Sequence, residues 1–284
     1  MHTVFDGSEG VPLQASLMGP IDGPAVLLAH GGGQTRRTWN KTMVQLAQHG
    51  FRSVAIDLRG HGESGWAKPN QYAFANFGED LLAVSDALGE RPHVIGASLG
   101  GLAALVAEGA LRPGSFASLT LVDVTPEMDP DGVSRIVGFM SAHIELGFAS
   151  LDEAAEAIGN YLPRRPKRSA SEGLKNYLRL DPDERYRWHW DPGFLTGLSQ
   201  RRERDYAQVS SAADRLSLPV HLVRGGASDL ISLEAARRFV AMIPDASFTD
   251  VADAGHMVVG DSNDVFSRAI IEFLEKQPKP RASA

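Results

Sequence analysis

The stretch Val94-Ile95-Gly96-Ala97-Ser98-Leu99-Gly100-Gly101 sets a G-x-S-x-G pentapeptide directly between a short apolar run and a pattern of helical period. A chain that passes from strand to helix over so few residues turns sharply, and little room remains where strand and helix meet. Gly96 and Gly100 remove the side chains that would collide there, while Ala97 and Gly101 keep the packing close. The turn projects the Ser98 hydroxyl from the end of a sheet. The helix behind it aims its first amides and positive dipole end at the same place. A turn of this kind implies a parallel sheet with crossover helices, so the remaining chain has to supply further strand–helix units.

It does. Strands are predicted at Thr3–Asp6, Pro12–Met18, Ala25–Ala29, Arg52–Asp57, Pro92–Gly96 and Ser118–Val124, with helices at Thr38–His49, Gly78–Leu88 and Leu99–Leu111. From Met128 to about Ser217 the rhythm breaks. Helical patterns at Gly132–Leu146, Ser150–Tyr161 and Ala170–Leu180 are separated by segments rich in Pro, Arg and Asp, and Asp129-Pro130-Asp131-Gly132 and Asp181-Pro182-Asp183-Glu184 read as turns. Strand Val220–Arg224, helix Leu233–Met242, strand Ser247–Val251 and helix Asn263–Lys276 resume the pattern. A structureless loop of about 90 residues would be out of proportion in a compact domain. The expected organisation is therefore an α/β core from residues 1–127 and 218–276, a helical cap at 128–217 inserted after the sixth strand, and a loose tail at 277–284. The core is expected to hold a mostly parallel eight-stranded sheet flanked by helices.

Composition narrows the function. A net charge of −7 disfavours nucleic acid as a partner. No run approaches the roughly 18–20 apolar residues that span a bilayer, so no membrane partner is expected. The start, Met1 to Gly7, lacks the basic and apolar regions of a secretory leader. The absence of cysteine excludes disulfides and thiolate catalysis, and suits a reducing compartment; a cytoplasmic location is the expectation.

The elbow around Ser98, the His30-Gly31-Gly32-Gly33 turn after the third strand, the Asp57-Leu58-Arg59-Gly60-His61-Gly62-Glu63-Ser64 turn after the fourth and the resumed strands together resemble the α/β-hydrolase superfamily, in particular its cap-bearing, carboxylesterase-like serine hydrolases. The resemblance spans the chain apart from the cap. It implies a triad in the order nucleophile, acid, histidine. Ser98 is the expected nucleophile. His256, in the loop between the last strand and last helix, is the expected general base. Asp229, in Gly225-Gly226-Ala227-Ser228-Asp229 after the seventh strand, is the expected acid. Asp123, at the end of the sixth strand, is its rival, because some members carry the acid there. The oxyanion hole is expected from the amides of Leu99 and Gly32, with Gly31 and Gly33 as neighbouring alternatives. His30 shapes that loop. Trp39, Trp188 and Trp190 are candidate substrate-lining side chains, each equally suited to a small local core.

The chemistry implied is cleavage of a small-molecule ester or related acyl compound through an acyl-enzyme, with no metal or organic cofactor. Alternatives are a C–C bond hydrolase acting on vinylogous diketones and a non-catalytic ligand-binding relative. Gly60-His61-Gly62-Glu63-Ser64-Gly65 matches a dinucleotide fingerprint by letter, but no helix is predicted to begin there. The basic cluster Arg164, Arg165, Lys167 and Arg168 reads as a solvated surface.

Overall fold

The computed structural model describes residues 1–161, 174, 177–252, 254–255 and 264–277. Eight strands form one sheet: β1 (His2–Asp6), β2 (Pro12–Met18), β3 (Ala25–Ala29), β4 (Arg52–Ile56), β5 (His93–Ala97), β6 (Ser118–Val122), β9 (Val220–Gly225) and β10 (Ala246–Val251). Their order is β1-β2-β4-β3-β5-β6-β9-β10. The pairs β1–β2 and β2–β4 are antiparallel and all others parallel, so the carboxyl ends of β3, β4, β5, β6, β9 and β10 share one edge. That edge is where a sheet of this kind places its chemistry.

The central strands are apolar on both faces because helices cover both. In β3, Leu27 and Ala29 point into a core with Phe77 and Leu81 of α2 (Phe74–Leu88) and Leu102 of α3 (Leu99–Val106). Val26 and Leu28 alternate to the other face, against Met43 and Leu46 of α1 (Asn40–Gln48) and Ile270. Each large apolar side chain withdrawn from water here contributes roughly 1.5–3 kcal/mol before entropy is counted. Helix α2 starts at Phe74, ahead of the predicted Gly78, because Phe74, Phe77 and Leu81 continue its buried stripe and the Asn76 side chain accepts from the Ala73 N–H at 3.1 Å.

Between β6 and β9 the chain holds α4 (Pro130–Ser141), α5 (Leu151–Tyr161), a two-stranded antiparallel hairpin of β7 (Leu178–Leu180) and β8 (Tyr186–Trp188), and α6 (Pro192–Ala213). Two sequence expectations change here. Leu178–Leu180, read as the end of a helix, pairs as a strand. Asp129-Pro130, read as a turn, starts α4: the Asp129 carboxylate accepts the Gly132 N–H at 2.7 Å and proline occupies the first turn. Asp191-Pro192 repeats the device at the start of α6. Asp181–Glu184 is a turn, as read. The basic cluster at 164–168 and residues 278–284 lie outside the described residues. Helices α7 (Leu233–Met242) and α8 (Asp264–Glu275) complete the fold. No helix among the described residues is long and apolar enough to cross a membrane.

Candidate active site

Ser98 follows the last residue of β5 and precedes the first of α3, with φ 45° and ψ −113°. A non-glycine residue in that region stores about 1–3 kcal/mol of strain and persists only where its surroundings hold it. Here the Ser98 N–H donates to the Val122 carbonyl at 3.1 Å, the Leu102 N–H to the Ser98 carbonyl at 3.0 Å and the Gly100 N–H to the His30 carbonyl at 3.1 Å. A Cβ at Gly96 would lie 2.5 Å from the Gly100 carbonyl oxygen and 2.6 Å from the Gly101 Cα, both rigid backbone atoms. Gly96→Ala is therefore expected to lower stability by about 1–3 kcal/mol or more, read as a lower denaturation midpoint. An unchanged midpoint would show that the elbow is not tightly packed.

The loop after β3 comes up beside the serine. A Cβ on Gly31 would sit 3.4 Å from the Ser98 Cβ. His30 clamps the loop: its Nε2 accepts the Leu58 N–H at 3.0 Å, which leaves Nδ1 as the donor to the Gly31 carbonyl at 2.8 Å. The Gly31 N–H is engaged by the Gln34 side-chain oxygen at 3.0 Å. Beyond it, Gly32 lies beneath Phe194 of α6 and Met140 of α4, and Gly33 beneath Trp190 and Met140.

The Asp57–Ser64 turn is a scaffold. Buried Asp57 accepts the backbone N–H groups of Arg36 at 2.7 Å and Glu63 at 2.9 Å and pairs with the Arg36 guanidinium. Arg59 pairs with buried Asp80 at 2.7 Å; burial pushes the Asp80 carboxyl up, against the pull of that guanidinium. The turn also receives the segment leading into α6. Gly62 N–H donates to His189 Nδ1 at 2.8 Å, Asp191 N–H to the Gly60 carbonyl at 2.8 Å and the Tyr72 hydroxyl to the Asp191 carboxylate at 2.6 Å.

His30, His61 and His189 form a buried row, with ring centroids 5.3 Å and 6.1 Å apart. Burial, reinforced by the neighbouring rings, pushes each down to about 3. Burial also lowers His93 and His221 to about 4. All five are neutral in the fold and take up protons on unfolding below the ordinary value of 6.5. Stability is thus fully present above that value and is lost as pH falls toward the folded values. Each contributes a slope of up to about 1.4 kcal/mol per pH unit in that window. Denaturation midpoints are expected to fall steeply from about pH 7 to pH 5; a flat profile would contradict the buried neutral row.

The two acid candidates differ sharply. Asp229 is 59% exposed and ion-pairs with Arg135 of α4 at 3.0 Å. Asp123 is fully buried. It follows β6, whose Val122 lies opposite Ala97 of β5, so it starts level with Ser98. Its φ of 50° is one that aspartate adopts more readily than most residues. Its Oδ1 accepts the Gly225 N–H at 3.1 Å and its Oδ2 the Ser228 hydroxyl at 2.6 Å. His256 lies outside the described residues. The chain leading to it is docked beside the same turn, through Gly226 N–H to the Val251 carbonyl at 2.7 Å and Ala227 N–H to the Ala254 carbonyl at 2.9 Å.

The tryptophans divide. Trp39, just before α1, is fully buried and stacks on Phe266 of α8 with ring centroids 6.5 Å apart, in the core on the α1 and α8 side of the sheet. Trp188 and Trp190 stack on each other with ring centroids 4.6 Å apart, and Trp190 reaches the glycine loop at Gly33. Phe194 and Met140 were not singled out by sequence; the Asp-Pro starts of their helices were the available signal. Among the described residues no group of three or more His, Asp or Glu is arranged to hold a metal ion.

The alpha/beta hydrolase family pattern matches residues 26–269. The chain is 33% identical to an esterase of Mycobacterium tuberculosis, over 88% of this chain and 81% of that protein. It is 27% identical to the 3-hydroxybutyrate-oligomer hydrolase of Cupriavidus necator, over 84% of each. The crystal structure of E-2-(acetamidomethylene)succinate hydrolase superposes with a TM-score of 0.84 over 97% of this chain and 99% of that one, at 21% identity, a likeness of fold. The chain belongs to the alpha/beta hydrolase family and is a hydrolase.

Proposed function

We propose that this chain is a serine hydrolase that cleaves carboxylic esters, with Ser98 as nucleophile, His256 as general base and Asp123 as the acid that orients it. The observation that carries the reading is Ser98 itself, held in a strained elbow with the Gly31 backbone beside its Cβ. Asp123 takes the place expected of Asp229 because it is buried, level with the serine and held by two donors. Asp229 is exposed and already paired. A buried carboxylate keeps its electrostatic hold on an imidazolium, whereas solvent screens an exposed one.

In the reaction, His256 takes the Ser98 proton as the oxygen attacks the ester carbonyl. The carbonyl oxygen becomes an oxyanion held by two backbone amides. The Gly31 and Gly100 amides already have partners, and the Gly32 and Leu99 amides take this role. Collapse of the intermediate breaks the C–O bond, and His256 passes its proton to the departing alcohol. Water, deprotonated by His256, then releases the acid and restores Ser98. The segment between β6 and β9 acts as a cap, with Phe194 and Met140 over the glycine loop limiting the acyl group.

Ester substrates are favoured because relatives matched over most of the chain are named an esterase and an oligomer hydrolase. The test is a turnover comparison of p-nitrophenyl esters of graded acyl length with a vinylogous diketone. Hydrolysis of short-chain esters without cleavage of the diketone is expected. Turnover of the diketone alone would replace this reading with C–C bond hydrolysis, and no turnover by a protein that binds ligand would make it a binding relative.

A further inference from the structure

We propose that Ser228 is a positioning residue for catalysis: its hydroxyl fixes the plane of the Asp123 carboxylate, the group assigned to orient His256. The proposal rests on Asp123 being the acid. The Ser228 hydroxyl has one proton. Its oxygen already accepts the Leu230 N–H at 3.1 Å, so the proton is directed to Asp123 Oδ2, at 2.6 Å. That length lies in the range of charge-assisted O–H···O⁻ bonds. Ser228 N–H closes a turn onto the Gly225 carbonyl at 2.8 Å, and the Gly225 N–H takes the other carboxylate oxygen at 3.1 Å. One tight turn thus brings a donor to each oxygen, which stops the carboxylate rotating about its last bond.

The turn is braced from outside. Asp129 N–H donates to the Leu230 carbonyl at 2.8 Å, and the first turn of α4 packs against the Asp229 carbonyl at Gly132. Neither contact involves the Ser228 hydroxyl, so removing it releases the carboxylate and the Leu230 N–H while both bracing contacts remain.

Ser228→Ala is expected to lower kcat for a p-nitrophenyl ester by about 10–100-fold, with KM changed by less than about threefold. A loosely held Asp123 makes His256 a weaker base, so the acidic limb of the kcat/KM profile moves to lower pH. Ser228→Thr, which keeps the hydroxyl, restores both. A purely structural role would lower the melting temperature without moving the limb. If folded Ser228→Ala keeps wild-type kcat and limb while Asp123→Asn is inactive, or if the limb moves to higher pH, the positioning role is overturned. If Asp123→Asn is itself active, the acid assignment has failed instead.

Discussion

Ser98→Ala is expected to lower kcat for ester hydrolysis by about 10⁴–10⁶-fold while leaving KM within a few-fold of wild type. The asymmetry follows from what the side chain does. On the proposed mechanism the hydroxyl forms a bond only as the reaction proceeds, whereas substrate would be held by the glycine loop and by Phe194 and Met140, which lie over that loop. The backbone that positions residue 98 is fixed by hydrogen bonds from its own N–H and to its own carbonyl, which alanine retains. The variant should therefore melt close to wild type and still bind a non-hydrolysable analogue. Residual turnover of about 10³-fold over water is compatible with an intact oxyanion hole. Retention of most of the activity is not.

Asp123→Asn should cost about 10⁴-fold in kcat, and Asp229→Asn less than about threefold. An amide at 123 presents a donor where the carboxylate presented only acceptors, so it no longer holds the imidazole tautomer that accepts the serine proton. It also meets two donors, Gly225 N–H and the Ser228 hydroxyl, with a single acceptor oxygen. One buried group is left unmatched, and stability falls by about 1–3 kcal/mol. At 229 the substitution removes an ion pair in which both side chains are more than half exposed, and such pairs contribute about 0–1 kcal/mol. Steady-state kinetics on both variants, with melting curves alongside, separate the two carboxylates. The reverse pattern would return the acid to Asp229.

The choice between those residues marks where sequence stopped being informative. Both follow a strand on the same sheet edge, and both stand between Ser98 and His256 in chain order. Motif spacing cannot weigh burial, and burial is what distinguishes them. The elbow was legible because its constraint is local: the chain must turn between β5 and α3, and glycine at 96 and 100 answers contacts only a few residues away. His30 and the glycine loop were legible for the same reason. The insert was not. Helix α6 carries a long polar stretch, Gln200-Arg201-Arg202-Glu203-Arg204-Asp205, and buries Phe194, Leu195, Val209 and Ala212 at its two ends. That polar stretch interrupts the apolar periodicity by which a sequence reports a packed helix. The hairpin of Leu178–Leu180 with Tyr186–Trp188 is set by long-range packing of Trp188 on Phe139 and Phe148, which no local pattern reports. Trp39 shows the converse limit: its place after the glycine loop suggested the site, yet its indole packs on the opposite face of the sheet.

The most direct test of Ser98 as nucleophile is covalent labelling of the folded protein with a fluorophosphonate, followed by peptide mass mapping. One adduct is expected, on Ser98, formed in step with loss of esterase activity and absent from Ser98→Ala. An esterase-active preparation that stays unlabelled at Ser98, or one inactivated by an adduct on a different serine, would contradict it.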